Sequence, residues 1–375
     1  MTVTVAVDTT GADLGPAEVA QGALIAARQG IAVRLYGPAP ELREVVGTTA
    51  GIEIVDAPLS IAKAPDPVTA VRANPDASIV QVVRAVASGD ADAFVVAGAT
   101  GPALAAGLLH VRRAKGIHRP ALALPLPIPG KSPVTLVDVG ANVESRPDHQ
   151  VQFAFMGAAL ARTVLGIDRP RVALLSNGEE PTKGTPDVVE VHGLLRERLA
   201  GNPYVDFVGN VEGTDVTEGA ADVVVTDGFT GNITLKLIEG VSQTVVREIR
   251  AAAKSNPVAM LGGLLLKPAL GRFRQEIDPE GPGGAYLLGL RSLGVVPHGR
   301  FTRNGFGEAI VRAARGAEGD LVELVHHDLE AAGALRRAPA MGSANGTAAA
   351  AAAGARTTAE GGAADGRGPS ESATS

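Results

Sequence analysis

The sequence predicts a doubly wound α/β protein: a mostly parallel sheet sandwiched by helices, folded as two lobes around a central crevice. Three observations predict it. Short runs rich in Val, Ile and Leu alternate along the chain with helical stretches, the order that yields a parallel sheet. Several runs are apolar without alternation, as strands covered on both faces are. Nearly all end at Gly, Asp or Asn, which terminate strands in turns.

In chain order the expected strands are VTVAVD (3–8), IAVRLYG (31–37), IEIVDA (52–57), DAFVVAG (92–98), VTLVDVG (134–140), RVALLSN (171–177), YVDFVGN (204–210) and ADVVVTDG (221–228), with a strand-like LGVVP (293–297) near the end. Between them, PDHQVQFAFMGAALARTVLG (147–166) sets Val151, Phe155, Ala158 and Ala159 at helical spacing, which predicts one core-facing side. Residues 1–337 read as one catalytic body, with 253–277 as a helical projection from it. From residue 338 to 375 the chain turns to Ala, Gly, Ser and Thr, which cannot bury a core, and reads as a disordered low-complexity tail.

Composition excludes several function classes. Aromatic residues make up 3% of the 375 and Trp is absent, so aliphatic side chains must fill the core and base stacking is not expected. A formal charge of -6 argues against nucleic acid as a partner. No cysteine is present, which rules out thiolate metal sites and a cysteine nucleophile and fits a cytoplasmic enzyme. No apolar run is long enough to span a bilayer.

Five glycine corners follow the strands: TTGADLGP (9–16) with Gly11 and Asp13 just after Asp8, GATGP (98–102) with Gly98, Thr100 and Gly101, DVGANV (138–143) with Asp138, Gly140 and Asn142, SNGEEPTKGT (176–185), and DGFTGN (227–232) with Asp227, Gly228, Gly231 and Asn232. In an open α/β sheet the carboxyl ends of the strands face one crevice, so these corners are expected to converge there. Glycine admits close backbone approach, and a following helix offers unpaired NH groups to an anion. Pro16 and Pro102 suit first helical positions. Any one such corner is also what a plain chain reversal requires. The anion is not a dinucleotide, because no corner has G-x-G-x-x-G. PLPIPGKS (125–132) ends like a P-loop, but its prolines remove the donors a nucleotide phosphate needs. No G-x-S-x-G elbow and no H-E-x-x-H occur. His149 reads either as a helix-start residue or as a site residue. No metal and no cofactor is called for.

The corners resemble those of the phosphate acyltransferases of bacterial phospholipid synthesis. The likeness is carried by LVDVGANVESRPDHQVQFAFMG (136–157), GEEPTKGTPDVV (178–189), the long block 202–236 and, less strongly, APDPVTAVR (64–72), AGATG (97–101) and VVPHG (295–299). It departs at Thr9, Thr10 and Ala12, at Ala99 where the family has an amide, over 74–78, and at the Gly-Arg-Phe-Thr after His298. These departures bear on rate and acyl preference.

The resemblance implies a phosphotransacetylase-like or isopropylmalate-dehydrogenase-like fold, and attack of inorganic phosphate on the thioester of acyl-[acyl-carrier-protein] to give acyl phosphate. That reaction needs no protein nucleophile and no strong base; it needs positioning and oxyanion stabilisation. Lys183 would neutralise phosphate. Asn232 would donate to the oxyanion or, alternatively, cap a helix. His298 would donate to phosphate or protonate the departing thiolate. Asp8, Asp13, Asp138, Asn142 and Asp227 would shape the crevice or be bound up in loop NH groups.

The resemblance further implies a homodimer, peripherally placed on the inner face of the membrane, with a membrane-embedded glycerol-3-phosphate acyltransferase consuming the product. The apolar stretch 256–278, with Lys267, Arg272 and Arg274, reads as a surface-lying helix or as a buried dimer helix. The basic group HVRRAKGIHR (110–119) reads as a solvated face or as a seat for an acidic carrier protein. Acyl-CoA as donor, and a noncatalytic lipid-binding scaffold, are the competing readings.

Overall fold

The computed structural model describes residues 2–336; the expected tail, 338–375, lies outside them. Eleven strands form one sheet: β1 (Thr4–Asp8), β2 (Ala32–Gly37), β3 (Ile52–Asp56), β4 (Ala93–Val96), β5 (Ala121–Leu126), β6 (Val134–Val137), β7 (Arg171–Leu175), β8 (Asp206–Val211), β9 (Val223–Val225), β10 (Ala285–Leu288) and β11 (Gly294–Val296), in the order β3-β2-β1-β4-β11-β10-β5-β6-β9-β7-β8. The helices are α1 (Pro16–Ala27), α2 (Ala39–Val46), α3 (Pro67–Ala73), α4 (Ser78–Ser88), α5 (Thr100–Ala106), α6 (Pro147–Thr163), α7 (Pro186–Arg198), α8 (Gly213–Glu218), α9 (Gly228–Ala252), α10 (Pro257–Glu276), α11 (Arg303–Glu318) and α12 (Leu321–Ala331).

Successive strand residues feed two cores, one per sheet face. Val5 and Val7 enter one and Ala6 the other; Val223 and Val225 enter one and Val224 the other. That double burial is why the strands are apolar without alternation. α6 is buried from His149 to Ala161 on every side, not along one face, because other helices and the sheet enclose it. Its Gln152 and His149 side chains are bonded internally, as described below, whereas Gln150 Oε1 is buried with no partner among the described residues. α1 and α11 approach closely enough that a Cβ on Gly22 would sit 2.8 Å from Gly307 N, and Arg303 closes the pair by donating to both carboxylate oxygens of Glu18.

The sequence expectation needs one correction. The parallel group β3-β2-β1-β4-β11 and the parallel group β6-β9-β7-β8 are joined through three antiparallel pairings, β11–β10, β10–β5 and β5–β6. Three reversals leave the two groups running in opposite directions. The carboxyl ends of β1, β4 and β11 therefore do not share a sheet edge with those of β6, β7 and β9. The corners form separate groups instead of one ring.

Candidate functional site

The first group is a nest where β1, β4 and β11 end. Gly98 has φ +64°, and a Cβ on it would lie 2.6 Å from Gly11 O and 2.8 Å from Gly299 Cα. Asp13 N donates to Gly299 O at 2.8 Å, and a Cβ on Gly299 would meet the Asp13 carboxylate at 3.1 Å. Asp8 lies at its floor, fully buried. Its Oδ1 accepts from Thr10 N (3.1 Å), Thr10 Oγ1 (2.9 Å) and Ser78 Oγ (2.5 Å), while Oδ2 has no partner among the described residues. Burial pushes its carboxyl up against those hydrogen bonds. Thr100 and Gly101 open α5, so Pro102 stands at its third residue and not, as the sequence suggested, at its first; Pro16 does open α1.

His298 borders the same nest. Its Nδ1 accepts from Arg300 N at 3.3 Å, which leaves the proton of the neutral ring on Nε2. Burial, then the Arg300 charge, holds its pKa below the usual imidazole value, with Glu239 and Asp13 pulling the other way. It is thus a neutral Nε2–H donor near neutral pH.

The second group surrounds Asp138. Its Oδ1 accepts from Leu122 N (3.1 Å), Gly140 N (3.2 Å) and Ala141 N (2.8 Å); its Oδ2 accepts from Asn142 N (2.9 Å) and Asn142 Nδ2 (2.8 Å). Asn142 Nδ2 also donates to Pro120 O at 2.7 Å. Both side chains are spent on holding this turn. The N-terminus of α9 docks on it through glycine: a Cβ on Gly228 would lie 2.9 Å from Asp138 Oδ2, and one on Gly231 would collide with Asp138 O. Asp227, not Asn232, caps α9, accepting from Thr230 N (2.8 Å) and Thr230 Oγ1 (2.7 Å). Asn232 is exposed, has no side-chain hydrogen bond among the described residues, and faces Gly140, whose added Cβ would be 3.7 Å from its Oδ1.

The third corner carries Lys183. Its stem covers Gly178, and its ammonium has no partner among the described residues. The loop beneath is fixed by Asn210, which donates to Glu180 O at 2.8 Å and pairs with His192 at 2.9 Å. No hydrogen bond or ion pair among the described residues joins Lys183, Asn232 and His298. What links the groups is α9: it begins on Asp138, carries Asn232, and brings Lys236 and Glu239 near enough for their charges to act on His298.

The helix-start reading of His149 holds. At the third residue of α6, its Nδ1 accepts from Arg146 N at 3.2 Å, and its ring also walls a cleft of about 550 Å³. Sequence reasoning missed most of this cleft. Arg146 and Arg336 line it with Arg113 and Arg119, and only the last two fell in the basic group noted above. Arg336 is too far along the chain for any spacing to reveal its place. Ser78, bonded to Asp8, was likewise invisible.

The architecture is that of the phosphotransacetylases. The chain superposes on the EutD phosphotransacetylase from Staphylococcus aureus with a TM-score of 0.56 and 18% identity, covering 84% of this chain and 94% of that one. It matches a branched-chain phosphotransacylase from Enterococcus faecalis V583 with a TM-score of 0.52 and 16% identity, covering 84% and 99%. At those identities the likeness is one of fold. Sequence is more specific. Residues 3–323 match the profile of the family described as "Fatty acid synthesis protein". The phosphate acyltransferase of Lactococcus lactis subsp. lactis (strain IL1403) is 38% identical over 327 residues, 86% of this chain and 98% of that one. That of Levilactobacillus brevis is 42% identical over 301 residues, 79% and 86%. The chain belongs to this family of acyltransferases, the phosphate acyltransferases.

Proposed function

We propose that the protein transfers a fatty acyl group from acyl-[acyl-carrier-protein] to inorganic phosphate, releasing acyl phosphate and free carrier for phospholipid synthesis. One observation carries the reading beyond family membership. The two polar groups best suited to a developing oxyanion and to phosphate, the Asn232 amide and the Lys183 ammonium, are exposed and unengaged, whereas the neighbouring Asp138 carboxylate and the Asn142 Nδ2 donor are already engaged in the turn. Donors held beside glycine backbone and not consumed by the fold are what positioning catalysis requires.

In the proposed step a phosphate oxygen bonds to the thioester carbonyl carbon and the carbonyl electrons move to oxygen, where the Asn232 amide stabilises them. The C–S bond then breaks. The proton of hydrogen phosphate ends on the carrier sulfur, and the neutral Nε2–H of His298, near the first corner, would donate a hydrogen bond to the phosphate or the departing sulfur while keeping its own proton. Lys183 offsets the phosphate charge as a compact cation. We further propose that the protein works as a homodimer at the inner membrane surface, and that a membrane-embedded glycerol-3-phosphate acyltransferase takes up the product.

The test is to incubate purified protein with long-chain acyl-[acyl-carrier-protein] and labelled phosphate, with acyl-CoA as a second donor. Labelled acyl phosphate is expected from the carrier thioester, and Lys183→Ala is expected to lose on the order of a hundredfold in kcat/KM, the typical effect of one electrostatic partner. No product from the unaltered protein overturns the proposal. Equal turnover by the variant removes the lysine from it.

A further inference from the structure

The cleft beside the Asp138 turn has cationic walls. Arg113, Arg119, Arg146 and Arg336 line it with His118 and His149, and Asp148 is the one acidic residue among the lining side chains. Four guanidinium groups against one carboxylate favour an anion. His118, Asp148 and His149 present ligating atoms within 4.8 Å of one another, a set that would suit a cation, yet Asp148 already pairs with His118 at 3.3 Å and a cation would face all four arginines.

The cleft is built, not incidental. Gln152, fully buried on α6, donates from Nε2 to Gly116 O and Ala334 O, each at 2.9 Å, and its Oε1 accepts from His118 N at 2.8 Å. One side chain thus ties the 113–120 loop, α6 and the segment after α12 into a fixed wall. Arg336 N donates to Gly116 O at 2.8 Å, which sets the root of its side chain there. Leu104, Leu108 and Pro120 add apolar lining, and Ala141 and Asn142 come from the turn whose Gly140 faces Asn232. Cationic cleft and oxyanion donor therefore flank a single five-residue turn.

We propose that this cleft seats a phosphate ester borne by the acyl donor, the phosphate at the far end of a pantetheine-type arm whose thioester lies beyond the turn at Asn232. The inference rests on the acyl transfer proposed above. The four arginines are exposed at the cleft rim, which suits an anion entering with a larger carrier. An attacking phosphate must instead reach about 3–3.5 Å from the carbonyl carbon.

The experiment compares kcat/KM for long-chain acyl-[acyl-carrier-protein] with that for the same acyl group on pantetheine lacking the phosphate, in the unaltered protein and in Arg119→Ala/Arg336→Ala. The ratio of the two is expected to fall at least tenfold in the variant, with the KM for inorganic phosphate unmoved. A raised KM for phosphate at constant ratio overturns the proposal in favour of a seat for the attacking anion, and a variant that changes neither overturns it outright. Calorimetric binding of 4′-phosphopantetheine against pantetheine decides the site separately: tighter binding of the phosphorylated form, lost in the variant, is expected even from protein that forms no acyl phosphate. Equal binding of both forms overturns the proposal. Equal melting temperatures show that the variant is folded.

Discussion

Gly231 and Asp138 pack backbone to backbone, with no room for a methyl group between the first turn of α9 and the Asp138 carbonyl oxygen. The contact sets the direction in which α9 leaves the body, and hence where Asn232 stands relative to Gly140. In an exposed helix Gly→Ala stabilises by about 1 kcal/mol. Here the added carbon meets backbone that is itself held by the five hydrogen bonds to the Asp138 carboxylate. Gly231→Ala is expected to destabilise by about 1–3 kcal/mol in urea melts, in line with overpacking, and to lower kcat. A gain in stability would show that the helix docks otherwise.

Asn232 and Asp227 stand five residues apart and do different work. Asp227 caps α9, so Asp227→Ala is expected to cost about 1 kcal/mol of stability. Asn232 bonds to nothing among the described residues, so Asn232→Ala is expected to leave the denaturation midpoint within about 0.5 kcal/mol of the original. Its kcat should nonetheless fall by on the order of a hundredfold if the amide holds the oxyanion. Normal turnover in the Asn232 variant would move the oxyanion site elsewhere.

How much of this was legible in the sequence differs element by element. Nine of the eleven strands were readable from their apolar runs. β5 was obscured because Pro125 interrupts it, and β10 because it is four residues long between Gly284 and Gly289. Those two strands carry the antiparallel pairings that reverse the second half of the sheet, so missing them produced the expectation of a single ring of corners. Gly228 and Gly231 were visible as a corner, but only the structure shows that they serve helix docking. The helix cap was assigned to Asn232 as one option, whereas the side chain at the N-terminal boundary is Asp227. Local chemistry was legible; the joining of distant segments, such as Arg336 with Arg113, was not.

Acid is expected to weaken the fold through its buried and half-buried imidazoles. Burial, the largest cause at each, holds His110, His118 and His149 below the ordinary imidazole value of 6.5. A histidine whose pKa is depressed by folding contributes stability that is complete above 6.5 and is lost as pH falls through the folded value. The slope is about 1.4 kcal/mol per pH unit for each proton the unfolded chain takes up in excess. Asp8 and Asp138, whose carboxyls are raised by burial, act in the opposite sense from 3.8 upward. The clean measurement is therefore a difference. His149 faces Asp148, His118, Arg119 and Arg146, and His149→Gln keeps those neighbours. Between pH 7.5 and 5.5 the melting temperature of the variant is expected to drop less than that of the unaltered protein. Parallel curves would mean that His149 does not titrate differently on folding.

α9 and α10 leave the body and bury almost nothing against it. α9 is buried only at Gly228, Gly231 and Leu235, and α10 has no buried residue among those described. α9 nonetheless carries Phe229, Ile233, Leu237, Val241, Val245 and Ile249 at four-residue steps, a continuous ridge exposed by 45% or more. Such i, i+4 ridges are what one helix inserts into the grooves of another. α10 exposes Val258, Leu261, Leu264 and Leu265 by 61–80%, with Lys267 close by. No described helix is long and apolar enough to cross a membrane. In the homodimer and membrane contact proposed above, the ridge on α9 would meet a second copy of the chain and the leucines of α10 a lipid surface, each leucine withdrawn from water contributing about 1.5–3 kcal/mol. Two substitutions separate these surfaces. Leu237→Glu is expected to shift sedimentation from dimer to monomer, and Leu264→Glu to abolish flotation with anionic vesicles while leaving the dimer intact. A Leu264 variant that floats as before removes α10 from the membrane, and a monomeric unaltered protein removes the ridge from any dimer.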